Sequence, residues 1–147
     1  MQFSTAILSL AAAISASASA IPVPNASFHV TGYIIAGGSG GTGNRFNVSA
    51  SPNYIPGFPG FLFECGDVLG WYSWLDCRPI RPAAGSQVTN LFLALPEDHD
   101  QHVFVSHLFE KDGKQFNVTA GLTFVYTGGW GTDPMTLDLK VFSIEAE

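Results

Sequence analysis

Between Gln115 and Thr127 apolar and polar residues take turns: Phe116, Val118, Ala120, Leu122, Phe124 and Tyr126 alternate with Asn117, Thr119, Thr123 and Thr127. A side-chain period of two puts one set on each face of a β-strand, so one face is buried and the other wet. Residues 45–50 behave alike, with Phe46, Val48 and Ala50 on one side and Arg45, Asn47 and Ser49 on the other. No segment sustains a period of 3.6, which excludes a helical bundle. The same reading gives strands over residues 28–35, 45–50, 60–65, 70–75, 88–95, 102–110, 115–126 and 136–144. Gly and Pro clusters separate them at residues 37–43, 52–59, 78–85 and 128–134. Eight short strands at such spacing predict an all-β, single-domain antiparallel β-barrel or sandwich. Lys111-Asp112-Gly113-Lys114 is the strongest hairpin signal, because glycine tolerates the positive φ of a tight turn.

Residues 1–20 carry no charged side chain, and residues 6–20 contain only Ala, Ile, Leu and Ser. The apolar run is too short to span a bilayer, and Ala18-Ser19-Ala20 has the form of a signal-peptidase site. The reading is a signal peptide over 1–20 and a secreted β domain over 21–147, with an extracellular destination. Twelve acidic against six basic residues, net −6, leave no basic stripe. Nucleic acid and an anionic membrane surface are therefore not expected as partners.

Cys65 and Cys77 are the only cysteines. In an oxidising compartment they are expected to bridge, which for so short a loop stabilises by roughly 3 kcal/mol. Three sequons, at Asn25, Asn47 and Asn117, fit the same compartment, and strand phase puts Asn47 and Asn117 on wet faces.

Chemistry-bearing motifs are sparse. The sequence has no nucleophile elbow, no phosphate-binding loop and no His-Glu-x-x-His helix, and no cofactor or metal is expected. The run Glu97-Asp98-His99-Asp100-Gln101-His102 offers ligand types for a divalent ion, but reads as a solvated turn. His29 and His107 are expected on polar strand faces or in ordinary hydrogen bonds. Asp67 and Asp76 flank the disulfide loop and form the one candidate acid pair for a small hydrolase, with the His99 cluster as a second. Aromatic residues carry more. Trp71, Tyr72 and Trp74 lie inside the loop closed by Cys65 and Cys77, and Trp130 lies in a Gly-rich segment. Large rings in turn-rich segments are favoured binding anchors, and these four are the candidate binding residues. The competing reading packs them into the core or the barrel ends.

The leader Met1-Gln2-Phe3-Ser4-Thr5, the strand Phe28-His29-Val30-Thr31, Phe61-Leu62-Phe63-Glu64-Cys65 and the spacing Cys65…Trp71-Tyr72-Ser73…Cys77 resemble the fungal Alternaria major-allergen-like family of small secreted β-barrel proteins. The resemblance implies a non-enzymatic secreted effector or allergen-like protein that engages extracellular host proteins of plant defence or immunity. The alternative is an extracellular cell-wall or glycan-binding structural protein. The family's second disulfide has no counterpart, since no cysteine follows Cys77, and its dimer-linking cysteine is missing. A covalent dimer is thereby excluded and a non-covalent one left open.

Overall fold

The computed structural model describes residues 21–38, 41–68, 73–81, 85–94, 100–125 and 134–147. Among them the chain is all-β and antiparallel: β1 (Ser27–Gly38), β2 (Gly41–Ala50), β3 (Phe61–Val68), β4 (Leu75–Asp76), β5 (Arg78–Arg81), β6 (Gln87–Ala94), β7 (Asp100–Lys111), β8 (Lys114–Val125) and β9 (Met135–Ala146). They form one sheet in the order β4-β6-β7-β8-β9-β1-β2-β3-β5. The sheet curls into a nearly closed barrel, because its two terminal strands are consecutive pieces of one segment. Leu75 and Asp76 pair with Asn90 and Thr89 of β6. The Cys77 N–H then donates to the Val88 carbonyl (2.8 Å), and from Arg78 onward the segment pairs with β3 instead. This crossover joins the two sheet edges, which would otherwise be open ladders.

The alternation in β8 does what the sequence implies: Val118 and Ala120 are fully buried, with Leu122 and Phe124 packed against the same core. β7 presents Val103, Val105, His107 and Phe109 inward. The β7–β8 hairpin turns at Asp112 and Gly113, both at positive φ (53° and 74°), so the glycine signal there is justified.

Three boundaries differ from the sequence reading. Residues 78–81 are strand β5 rather than part of a loop. All four of its residues are exposed, so no buried phase marks it, and Pro79 sits on a strand whose partners are few. Residues 37–38 and 41–43 extend β1 and β2 into a hairpin in which Gly38 faces Gly41. In the segment read as a strand over 70–75, the described strand residues are Leu75 and Asp76. Residues 51–60 do lie between strands, but they fold inward: Ile55 and Phe58 are buried.

Because successive strands run up and down, the connections β1–β2, β3–β4, β6–β7 and β8–β9 all leave from one end, here called upper. The lower end holds residues 51–60, the β5–β6 connection and the β7–β8 turn.

Candidate binding site at the seam of the barrel

The seam is pinned by the disulfide. Cys65 on β3 is bonded to Cys77, with the Cα atoms 4.5 Å apart, and both residues are buried. Above it, β3 carries Cys65 and Gly66 while β4 is paired away toward β6. The divergence leaves a groove lined by Asn44, Arg45, Glu64, Cys65, Leu75, Asp76 and Arg78 among others.

Its charged wall is a three-residue network. Glu64 on β3 accepts from Arg45 Nε of β2 (2.6 Å) and from Nη2 of both Arg45 and Arg78. Register explains the meeting: Glu64 stands opposite Asn47 on one side and Arg78 on the other. The hydrogen bonds from Arg78 and then Arg45 hold the Glu64 carboxyl below its usual range. The carboxylate is largely covered, with its side chain 15% exposed, while Arg45 and Arg78 are 69% and 75% exposed. One shielded anion therefore presents two oriented guanidinium groups to solvent, the planar multi-donor surface that suits carboxylates, amides and hydroxyls. Behind the groove, Asn44 shares the inward face of β2 with Phe46, and neither atom of its buried amide has a hydrogen-bond partner among the described residues. Asn90, also buried, donates to the Leu75 carbonyl (3.3 Å) and to Cys77 Sγ (3.6 Å), and its Oδ1 has no partner among the described residues.

Of the predicted binding residues, Trp74 is described. It directly precedes Leu75 of the groove wall and is exposed (44%), so it does not plug the barrel. Trp71, Tyr72 and Trp130 lie outside the described residues. The strand ends flanking residues 69–74 and 126–134 share the upper end of the barrel. Cys65 and Cys77 are bridged as predicted. Asn25 and Asn47 are exposed and Asn117 is half-buried on the outer side of β8, where its Oδ1 accepts from Ser106 Oγ.

The other candidates do not converge among the described residues. Asp76 is exposed and accepts from Gln87 Nε2 (2.7 Å), while the side chain of Asp67 lies outside the described residues. Glu97, Asp98 and His99 lie outside them as well, and His102 is hydrogen-bonded to Thr123 Oγ1 (2.8 Å). Among the described residues no group of three His, Cys, Asp or Glu side chains is placed to hold a metal ion. His29 faces outward and pairs with Asp138 (2.9 Å).

Of the two expectations for His107, a polar strand face or ordinary hydrogen bonds, the structure shows the second. The residue points inward and is fully buried, its ring 4.3 Å from that of Phe61 and 4.7 Å from that of Phe109. Nδ1 is hydrogen-bonded to Tyr54 Oη (3.2 Å) and Nε2 to Ser86 Oγ (2.8 Å). The layout resembles a nucleophile, a base and an orienting group, but the electrostatics oppose that use. Burial pushes the imidazole down to about 3 and raises the Tyr54 phenol, which stays neutral. With no anion beside it, an imidazolium formed during proton transfer is left unstabilised. The trio instead ties residues 51–60 to β7 and satisfies a buried ring. Strand phase held the signal that was missed, since Val103, Val105, His107 and Phe109 share one face.

No protein-family model matches the chain, and neither curated proteins nor solved structures give a match. The functional reading therefore stands on the geometry.

Proposed function

We propose that the chain is a secreted, non-enzymatic binding protein of the allergen-like effector kind, which engages an extracellular host protein through the upper end of its barrel. The observation that carries this is the pairing of an exposed Trp74 with the Arg45–Glu64–Arg78 groove on a segment pinned by a disulfide. Trp and Arg are the residue types most enriched at binding hot spots. A crosslinked loop loses less freedom on binding than a free one. The two guanidinium groups favour a partner that offers carboxylates or backbone carbonyls there.

The two exposed guanidinium groups also fit a second reading, a wall glycan whose hydroxyls accept from them. The test immobilises host extracellular proteins and, separately, wall polysaccharides, and measures binding of the purified secreted protein. Saturable protein binding lost in Arg78→Ala supports the first reading. Polysaccharide binding alone replaces it with the second, and binding to neither defeats both.

A further inference from the structure

The outer wall made by β1, β2, β3 and β5 is interrupted by an open hollow of about 420 Å³, lined by Gly32, Ile34, Arg45, Asn47, Glu64 and Ile80 among others. Two register shifts shape it. β1 bulges between Thr31 and Ile34, and Gly32 within the bulge takes a φ of 66°. A Cβ at Gly32 would meet nothing within 4 Å, so the space over the bulge is open. On the other flank β5 shifts against β3 between Leu62 and Phe63, and Ile80, at that shift, is 51% exposed. The hollow is therefore apolar at its edges, Ile34 and Ile80, and polar between them. Asn47 stands in that polar middle, opposite Glu64 of β3. It is the asparagine of the sequon Asn47-Val48-Ser49. Its side chain is exposed and makes no hydrogen bond among the described residues. The other two sequons are placed differently. Asn117 is half-buried with its Oδ1 accepting from Ser106 Oγ, and Asn25 precedes β1 and does not line the hollow.

We infer that Asn47 carries an N-linked glycan and that the hollow is its seat, the first N-acetylglucosamine lying with its apolar face against Ile34 and Ile80. The occupant follows from chemistry on three sides. The attachment atom stands inside the hollow, so the sugar nearest the protein has nowhere else to begin. The volume lies toward the low end of the roughly 300–1,000 Å³ of sites that hold small organic groups, which suits one or two sugars. Arg45 shares the outward face with Asn47 two residues along β2, and a guanidinium has five N–H donors. Those that Glu64 does not take are free for the acetamide carbonyl of the sugar. Contact with two aliphatic side chains would not hold a free sugar. A covalent tether supplies an effective concentration in the millimolar range for a short link, and removing the apolar surface of Ile34 and Ile80 from water is then favourable. Arg45 and Glu64 line both the hollow and the seam groove, so the glycan lies on the far side of that charged wall and leaves the groove open. The inference rests on the proposed passage through the secretory route and not on what the groove binds.

The experiment expresses the full chain, leader included, in a eukaryotic secretory host and trims its glycans with an endoglycosidase to one N-acetylglucosamine each. Peptide mass spectrometry should find that sugar on Asn47 in most molecules. Asn47→Gln, trimmed in the same way, should melt about 3 °C lower, a shift typical of one modest contact in a domain of this size. Ile80→Ser should lower melting by a similar amount in the glycosylated parent. In the Asn47→Gln background it should have little effect, since Ile80 is then half in water already. Secreted protein with a bare Asn47 overturns the inference and leaves secretion standing. Protein retained in the cells with no sugar on any sequon overturns both. An occupied Asn47 whose loss leaves melting unchanged overturns the seat, as does an Ile80→Ser effect of equal size in both backgrounds.

Discussion

The two ends of the barrel are built to different rules. At the lower end residues 51–60 fold across the opening, and their rings join those of the strands: Phe58 meets Phe109 (4.9 Å) and Phe116 (5.1 Å), and Tyr54 meets Phe28 (5.5 Å). The buried His107 there has both ring nitrogens hydrogen-bonded, to Tyr54 and Ser86. At the upper end Tyr33 packs against Phe46 (5.7 Å) and Phe124 (5.5 Å), but the inward Asn44 and Asn90 carry amide atoms with no hydrogen-bond partner among the described residues, and a disulfide and a strand crossover hold the seam. A saturated aromatic plug gives stability. A polar, covalently stapled end retains chemistry that a partner could satisfy. The proposed division, stability below and recognition above, has quantitative consequences.

The largest expected effect is at the plug. Phe109→Ala removes a fully buried ring and should lower unfolding free energy by about 3–5 kcal/mol, measured by denaturant titration. A loss below about 1 kcal/mol would mean the plug adds little and would break the comparison. Next is the staple. Replacing both cysteines by alanine should lose roughly 3 kcal/mol, chiefly by freeing the unfolded chain. It should also weaken partner binding, which Phe109→Ala read below its melting transition should not.

The third test uses acid. His107 is neutral when folded, with its pKa depressed by burial from an ordinary 6.5 to about 3. Between those values the unfolded chain holds a proton the folded one lacks, so stability is present above pH 6.5 and falls as the pH drops toward 3. At about pH 4.5 the loss is roughly 3 kcal/mol relative to neutral pH. His107→Phe should flatten that part of the profile even if it shifts the whole curve. An unchanged slope would place the acid sensitivity elsewhere. Fourth, Asn44→Leu replaces a buried amide that has no partner among the described residues. In a denaturant titration it should raise stability by about 1–2 kcal/mol, the penalty of an unsatisfied polar group being removed.

How much of this was legible in the sequence follows from which features have a phase. β8 and residues 45–50 of β2 show clean alternation, and the fold class follows from them. Cys65 and Cys77 announced their bond by being the only two cysteines. The Asp112-Gly113 turn was legible because positive φ selects its residues. β5 was not, because a strand exposed on all four residues has no apolar side to alternate. The seam network was not, because Arg45, Glu64 and Arg78 meet only through a crossover that pairs β5 with β3. The hydrogen bonds of His107 were expected, and its burial follows from the phase it shares with Val103, Val105 and Phe109.

The smallest expected effect on folding is the most informative about the upper end. Trp74 is large, yet it is exposed and lies just outside β4. If recognition occurs above and stability resides below, Trp74→Ala should change unfolding free energy by no more than about 0.5 kcal/mol, as surface substitutions do. The same change should weaken partner binding by about 2 kcal/mol or more if the ring is an anchor. Thermal melting and equilibrium binding on one preparation read both quantities. A large drop in melting would make Trp74 part of the structural closure, and the upper end would then resemble the lower. Unchanged melting with unchanged affinity would move recognition off the seam. Only a ring dispensable for folding and needed for binding keeps the two ends distinct, because aromatic packing inside the lower plug forbids that separation for Phe58 or Phe109.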